Sequence, residues 1–332
     1  MKHFKLVIIF LLTLTLTLLL LTGLDLCYFA HHGHRRPATI VLIKPGSSLK
    51  AITRILDKKG LISSKIRFRA LNFILQTGPS LKAGEYKIDA DADPLEIISI
   101  LQQGISLQHK INFPEGFTLE QIKARLAARG ICKTEEFDQL TKDPDNLKKW
   151  QIPAAGPEGY LFPSTYCYSR KTSCLKIIQE MVTTGRQKFS AISSNSPETA
   201  LNRHQILTLA SIIQKEAGNL AEMPLIAAVF YNRLRRNMRL ASDPTTIYGL
   251  GPDFDGNLRR RDLKHPSPYN TYRHKGLPPG PICSPGSDAI RAALNPAASD
   301  YLFFVSRNNG THQFSKTYPE HQRAVAKYQL KR

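Results

Sequence analysis

The chain has 332 residues, of which 42% are hydrophobic and 22% are charged. This length is enough for two domains with a sizeable core, and the composition excludes a disordered chain. The 46 lysines and arginines outnumber the 26 acidic residues, and the formal net charge is +20. Such an excess favours nucleic acid, anionic lipid or an acidic polymer as partner, and charge alone does not choose among them.

The N-terminus carries an uncharged apolar segment at residues 6–24 (LVIIFLLTLTLTLLLLTGL). At a helical rise of about 1.5 Å per residue, its 19 residues match the hydrocarbon thickness of a bilayer. Lys2 and Lys5 precede the segment, which favours a cytoplasmic N-terminus. We therefore predict cytoplasmic residues at 1–5 and a transmembrane anchor at 6–26.

A cleaved signal peptide is the alternative interpretation of this segment, and Arg35 and Arg36 beyond it weaken the predicted orientation. The apolar region of a signal peptide is usually shorter, and cleavage after Ala30 would place the bulky Tyr28 where a small residue is preferred. Cys27 follows a leucine, whereas a lipoprotein site requires a small residue there. An uncleaved anchor puts the rest of the chain outside the cytoplasm, which argues against a nucleic-acid partner.

The cysteines and histidines give no metal-site pattern, because neither CxxC nor HExxH occurs. The cysteines beyond the anchor are available to pair in an oxidising compartment: Cys132, Cys167, Cys174 and Cys283. Cys167 and Cys174 are closest in sequence, and the pairing stays open. We assign His31, His32 and His34 to a basic linker at 27–38 and predict neither a metal nor a cofactor.

Residues 39–108 are predicted to form a small module with a β-α-α-β pattern. Its elements are a strand at 39–44, a helix from Ser48 to Gly60, a helix at 63–75, a returning strand at 83–89, and a helix from Asp93 to Gly104. Ser48 and Asp93 are typical N-caps, and glycine is typical of helix ends.

Residues 109–332 are predicted to form a larger domain that mixes helices and strands. Its elements are a strand at 107–113, a helix opened by the Thr118–Gln121 capping box, a polar loop at 142–157, helices from residue 196, a long loop at 243–288, a hairpin at 301–315 turning at Asn309-Gly310, and a helix at 319–330. The predicted fold class is therefore α+β, with an N-terminal transmembrane helix and two folded parts.

Glu216 is the first candidate for chemistry, because it ends the nearly unbroken apolar run 206–213 (ILTLASII). A carboxyl group beside apolar side chains loses hydration, and this raises its pKa. A carboxylic acid that is neutral near pH 7 can protonate a glycosidic oxygen. The alternative interpretation is a solvated glutamate at the end of a helix.

Two loops after Glu216 are rich in tyrosine, asparagine and threonine, which suit sugar rings and hydroxyls. The candidate substrate-binding residues in them are Asp243, Tyr248, Asn270 and Tyr272. The interleaved basic residues suit carboxylates of a substrate, and a solvated basic loop is the alternative. Glu115 and Glu158 each stand in a P-E-G-aromatic turn, and we predict structural roles for both.

Several long motifs, in this order along the chain, resemble the MltG (YceG-like) family of endolytic murein transglycosylases: PEGYLFPSTY, ASIIQKEAG, AAVFYNRLRRNMRLASDPTTIYGLG, YNTYRHKGLPPGPICSPG and YLFFV. The resemblance runs from about residue 40 to the C-terminus. It implies a membrane-anchored enzyme that cuts nascent peptidoglycan strands internally, with residues 39–108 as a LysM-like subdomain and 109–332 as the catalytic domain.

The resemblance also implies roles for individual residues. The family's catalytic glutamate is the last acid of an E-K-E stretch, which falls on Glu216. The first acid of that stretch is Gln214 here, so this position cannot act as an acid. The acid before the next helix is usually followed by arginine, whereas Glu222 is followed by Met223. We therefore carry no role over to that pair.

The expected reaction is cleavage of the MurNAc-GlcNAc β-1,4 bond with formation of 1,6-anhydro-MurNAc ends, which would limit strand elongation. A hydrolytic muramidase with Asp243 as second acid and a non-catalytic peptidoglycan-binding membrane protein are the alternatives. The resemblance further implies peptidoglycan synthases (penicillin-binding proteins) as partners. It places the protein in the inner membrane as a single-pass protein with a periplasmic catalytic domain.

Overall fold

Two units of structure are present in the computed structural model, which describes residues 2–33 and 36–330 apart from the side chains of Lys2, His3 and Asp253. The N-terminal unit comprises Met1–His109 and Cys167–Lys171, and the C-terminal unit comprises Lys110–Tyr166 and Thr172–Arg332. Both contain helices and strands, as the predicted α+β class requires. His34 and Arg35 of the predicted linker lie outside the described residues.

The first helix, α1 (Lys2–His31), is long and apolar enough to cross a membrane by length and composition. Its segment Phe4–His31 has a mean hydropathy of 2.6 over its most apolar window, none of which is buried in the protein. A signal sequence passes the same test. The helix continues to His31, five residues into the predicted linker.

The N-terminal unit builds its module on one antiparallel strand pair. Its elements after α1 are β1 (Thr39–Ile43), α2 (Leu49–Lys58), α3 (Lys65–Ile74), β2 (Gly84–Ile88) and α4 (Pro94–Gln103). Thr39 lies opposite Ile88 and Ile43 lies opposite Gly84. This is the predicted order of elements, and its identification as LysM-like stays a prediction.

Local sequence signals define these helices. The Ser48 hydroxyl accepts a hydrogen bond from the Ala51 N–H, and Asp93 forms a capping box with Glu96. Gly104 ends α4 with a φ of 69°, a left-handed conformation that glycine adopts without strain. The predicted caps are therefore confirmed.

The core of the N-terminal unit includes the end of α1. Phe29 and Ala30 are buried together with apolar side chains of the strands and helices, including Val41, Phe68 and Ile97. The last turns of α1 are thus part of a folded module, and cleavage after Ala30 would remove Phe29 and Ala30 from its core.

The C-terminal unit is mostly helical. Its elements are β3 (His109–Asn112), α5 (Leu119–Ala128), α6 (Thr134–Lys142), α7 (Pro144–Lys149), β4 (Thr165–Tyr168), α8 (Cys174–Ser193), α9 (Arg203–Glu216), α10 (Met223–Arg235), α11 (Asp243–Leu250), α12 (Ser287–Leu294), β5 (Phe303–Ser306), β6 (His312–Ser315) and α13 (Tyr318–Val325). The first residue of β3 and the last two of β4 are counted with the N-terminal unit. The buried helix α9 packs against α10, α11 and α12. β5 and β6 form the predicted hairpin, with Ser306 opposite His312.

Three predictions about local structure were wrong in this unit. The predicted polar loop at 142–157 contains α7, which Asp143 caps and Pro144 begins. Helix α9 begins at Arg203, seven residues later than predicted, because Asn202 and Gln205 form a capping box there. The predicted loop at 243–288 begins with α11, whose eight residues lack a clear apolar periodicity.

One disulfide bond joins Cys132, just after α5, to Cys174 at the start of α8. The pair closest in sequence, Cys167 and Cys174, is therefore not the one that forms. Cys27 and Cys167 are exposed free thiols, and Cys283 is a buried one.

Candidate active site

Glu216 is the last residue of α9, and all eight residues at 206–213 before it are buried. The next residue, Ala217, leaves the helix with an extended backbone while its N–H still bonds to the Ile213 carbonyl. The helix therefore brings the Glu216 side chain from the core to the edge of the unit, where it is half-buried.

The Glu216 carboxyl group is surrounded by side chains from two other elements. The buried Ser242 hydroxyl donates a 2.5 Å hydrogen bond to Glu216 Oε1. Burial raises the pKa of Glu216 to about 7, against the opposing effect of this hydrogen bond. The negative charge of Asp243 raises it further, and the positive charge of Arg233 lowers it. The group is therefore a carboxylic acid that is half-ionised near neutral pH.

Glu216 lies in the wall of a cavity of about 390 Å³. Asp243 and Tyr272 belong to the same wall, and the Tyr272 hydroxyl donates a 2.6 Å hydrogen bond to Asp243 Oδ1. Aromatic side chains of the hairpin and of α13, including Phe303 and Tyr318, complete it. The structure thus brings together three of the five residues that the sequence selects, in a pocket large enough for part of a sugar chain.

Asn270 is fully buried, and its side chain is engaged within the protein. Its Nδ2 group donates to the carbonyls of Leu263 and His265, and its Oδ1 accepts from Thr246 and from the Tyr272 N–H. Asn270 therefore holds the loop that presents Tyr272, and the geometry supports a positioning role for it.

Tyr248 lies outside the wall of this cavity. Its hydroxyl donates a 3.2 Å hydrogen bond to Glu158 Oε2, and its ring packs against Tyr269. Glu158 also accepts from the Leu119 N–H with both oxygens, at 3.0 and 3.1 Å, and so caps the start of α5. Burial raises the pKa of Glu158 to about 7. Its contacts fit the predicted structural role.

Glu115 and Gln214 meet near the start of α12. Gln214 hydrogen-bonds to Glu115 and accepts from the Gly286 N–H at 2.9 Å. A side chain at position 286 would overlap the Glu115 carboxyl group, so a glycine is required there. Gln214 therefore connects α9 to the start of α12 by hydrogen bonds. Its amide is neutral, so it adds no second negative charge beside Glu115.

Sequence analysis missed two residues of this site, Ser242 and Arg233. The buried Arg233 guanidinium lines the cavity, donates from Nε to the Leu302 carbonyl at 2.7 Å, and also donates to the Leu240 carbonyl. Burial lowers its pKa. The available signal for Arg233 was a basic residue in the last turn of a helix whose earlier residues are mostly apolar, whereas no local pattern marks Ser242.

The β5–β6 hairpin is fastened to the segment that follows Glu216. Glu222 accepts from the His312 N–H at 2.9 Å and lies 2.8 Å from His312 Nδ1. Asn219 Nδ2 donates to the Gly310 carbonyl at 2.9 Å, and a side chain at position 218 would overlap that carbonyl. Glu222 thus has a partner in the hairpin although it lacks the arginine expected after it.

The arrangement suits proton transfer by one carboxyl group in a partly enclosed pocket. Asp243 is a second carboxylate in the same wall. Over the described ranges 2–33 and 36–330, no group of three or more histidine, cysteine and acidic side chains is placed to hold a metal ion.

Comparison with known proteins matches the YceG-like family over residues 41–327. An endolytic murein transglycosylase of Bacillus subtilis is 36% identical over 86% of this chain and 83% of its own length. One of Streptococcus pneumoniae is 30% identical over 86% of this chain, which spans 57% of that longer relative. The crystal structure of a yceG-like protein from Listeria monocytogenes is 34% identical, with a TM-score of 0.58 over 86% of this chain and 98% of that one. The chain belongs to the YceG-like family.

Proposed function

We propose that this protein is an endolytic murein lytic transglycosylase, with Glu216 as its catalytic residue. The observation that carries the proposal is the Glu216 carboxyl group, which lines a cavity and has a pKa of about 7. The names of the relatives from Bacillus subtilis and Streptococcus pneumoniae supply the substrate class, peptidoglycan.

In the proposed reaction, protonated Glu216 donates its proton to the oxygen that joins MurNAc to GlcNAc, and that bond breaks. The resulting carboxylate then takes the proton from the C6 hydroxyl of the same MurNAc as its oxygen bonds to the anomeric carbon. The product is a 1,6-anhydro-MurNAc end, and Glu216 returns to its protonated form. One residue serves as acid and then as base, which is efficient when its pKa lies near the working pH.

The neighbours of Glu216 support each half of this cycle. The hydrogen bond from Ser242 and the positive charge of Arg233 favour the carboxylate that forms after proton donation. Burial and the charge of Asp243 favour the protonated acid that starts the reaction. Because these influences oppose each other, the proton can leave and return at similar free energy.

Substrate positioning is assigned to the aromatic and polar cavity wall. The rings of Tyr272, Phe303 and Tyr318 offer apolar faces for sugar rings. Since the attack is intramolecular, the wall must hold the muramyl sugar with its C6 hydroxyl turned toward the anomeric carbon.

Asp243 supports a second candidate function, a muramidase that activates water. Its carboxylate shares the cavity wall with Glu216, but it already accepts a hydrogen bond from Tyr272. The chain end of the product distinguishes the two reactions.

We also propose where the protein is located and what it binds. We assign α1 as an uncleaved inner-membrane anchor, with the folded units in the periplasm. The module at 39–108 is assigned as LysM-like and able to contact peptidoglycan. Peptidoglycan synthases are the proposed protein partners, and the family resemblance is the support for them.

The test digests intact peptidoglycan strands with the full-length protein in detergent micelles and analyses the fragments by mass spectrometry. The Glu216→Gln variant is run beside it, together with Glu158→Gln. Glu158 is the matched control, because its pKa is also about 7 but it lies outside the cavity wall. Thermal unfolding of each variant verifies that it is folded.

Internal fragments with 1,6-anhydro-MurNAc ends from the wild type and Glu158→Gln, and none from Glu216→Gln, are the expected result. Reducing MurNAc ends would instead show that water is the nucleophile, and Asp243 would become the second acid. Equal activity of Glu216→Gln would overturn the assignment of the catalytic residue.

A further inference from the structure

Helix α3 exposes an apolar stripe on the N-terminal unit. Ile66, Phe73 and Ile74 are 76%, 84% and 64% exposed. Phe73 and Ile74 follow Ile66 by seven and eight residues, and this spacing places all three on one side of an α-helix. The opposite side of α3 is also apolar and packs into the core through Phe68 and Leu71. The exposed stripe is therefore additional to what folding of the module requires.

An ion pair places α3 relative to the apolar run of α1. Asp25 is the first charged residue after the 19-residue run at 6–24, and its Oδ1 lies 2.8 Å from Arg67 Nη2 of α3. If that run spans the hydrocarbon core, Asp25 lies at its extracytoplasmic edge, because the run and the core are both about 30 Å long. Arg67 and the neighbouring Ile66 then lie at the same level.

The charge of α3 fits the surface of an anionic membrane. The helix carries Lys65, Arg67 and Arg69 and has no acidic residue. Lys65 is paired with Asp57 at 3.1 Å and Arg67 with Asp25, but the two side chains keep 57% and 44% of their surface exposed to a lipid headgroup. Basic side chains that flank exposed apolar ones are typical of helices that lie in a membrane interface. Such cations near an anionic surface favour binding.

We propose that α3 lies in the headgroup region of the bilayer that α1 spans, with Ile66, Phe73 and Ile74 inserted among the lipid chains. The inference rests on the proposed membrane insertion of α1. Its occupant is the anionic lipid of the same membrane, because α3 contacts α1 and the Asp25–Arg67 ion pair places it beside the end of the exposed apolar run of α1. The N-terminal unit is then held at two points, and its rotation about α1 is restricted.

The test measures quenching of tryptophan fluorescence in vesicles of phosphatidylcholine and phosphatidylglycerol whose chains carry bromine near the headgroup end. Full-length protein is reconstituted as wild type and as Phe73→Trp. The chain has one native tryptophan, Trp150, which is buried and supplies a constant background. The difference between variant and wild type isolates the emission of the new side chain.

Two further variants complete the design. Leu14→Trp, reconstituted in vesicles whose lipid chains carry bromine near their methyl ends, reports insertion of α1, since Leu14 lies in the middle of the apolar run and is exposed. Ile105→Trp is the matched control, because Ile105 is 74% exposed but lies outside α3. The neighbouring Ser106 hydroxyl accepts a hydrogen bond from the Glu85 N–H near the start of β2. Gly33, just after α1, instead lies beside Asp91, which follows the end of β2. Ile105 is therefore at the opposite end of β2 from α1.

The expected result is a loss of the Phe73→Trp emission in brominated vesicles, with a blue shift of its maximum, and no loss for Ile105→Trp. Quenching of Leu14→Trp without quenching of Phe73→Trp would overturn the inference and leave the anchor standing. Quenching of neither would overturn both. Equal quenching of Phe73→Trp and Ile105→Trp would contradict a contact specific to α3.

Discussion

Replacing Glu216 by glutamine is expected to stabilise the fold at alkaline pH while it abolishes catalysis. Burial disfavours the ionised carboxylate in the folded state, whereas the same group is fully hydrated in the unfolded chain. Glutamine has nearly the same shape, can accept the hydrogen bond from Ser242 and carries no charge. The variant therefore keeps the contacts of the site and removes the unfavourable charge.

The size of the effect follows from the pKa of Glu216. Its rise from 4.5 to about 7 corresponds to about 3 kcal/mol, because each tenfold change in a dissociation constant equals about 1.4 kcal/mol. Between these two values the folded state retains a proton that the unfolded state has released, so the free energy of unfolding falls as the pH rises. Below pH 4.5 both states are protonated, and above about pH 7 the full loss is present.

The assay is urea unfolding followed through Trp150, the one tryptophan of the chain, which is buried in the C-terminal unit. Glu216→Gln should match the wild type near pH 4 and exceed it by about 3 kcal/mol near pH 8. Glu320→Gln is a control of opposite sign, because hydrogen bonds from the backbone of Lys316 and Thr317 lower the pKa of Glu320. A Glu216→Gln variant that is less stable than the wild type at pH 8, or a difference that does not change with pH, would refute the reasoning.

Further predictions concern the pH dependence of cleavage and the disulfide. Since protonated Glu216 starts the reaction, kcat/KM should decrease as the pH rises through about 7. Ser242→Ala should move this decrease to higher pH and Asp243→Asn to lower pH, because the first removes a hydrogen bond that lowers the pKa of Glu216 and the second a charge that raises it. pH–rate profiles check both directions, and shifts of the same sign would contradict the assigned neighbours. Replacing Cys132 and Cys174 by alanine should lower the free energy of unfolding by about 4 kcal/mol from loop-closure entropy across 42 residues, measured by urea unfolding; an unchanged value would contradict this pairing.

Local signals in the sequence predicted much of the secondary structure. Ser48, Asp93, Gly104 and Thr118 define helix ends by interactions within three or four residues, and each acts as predicted. Where the signal was weak or was overlooked, the prediction failed. The short helices α7 and α11 both begin at an Asp-Pro pair, inside segments that contain several other proline and glycine residues.

The residues of the candidate site were likewise predictable only in part. Glu216 was predictable, because the apolar run before it implies a carboxyl group that leaves a buried helix, and the family motif coincides with it. Asp243 and Tyr272 were chosen for their chemistry, and the structure places both beside Glu216. Asn270 was chosen for the same reason, but its neighbours occupy all of its hydrogen-bonding groups.

The sequence by itself determined the apolar N-terminal helix, the order of the module and the position of the acid at the end of α9. These features depend on composition and on residues a few positions apart. Tertiary structure alone decided that Ser242 donates to Glu216, that Arg233 lies in the same cavity, and that Cys132 pairs with Cys174. These contacts join residues 17 to 42 positions apart, because the chain must fold before their elements meet.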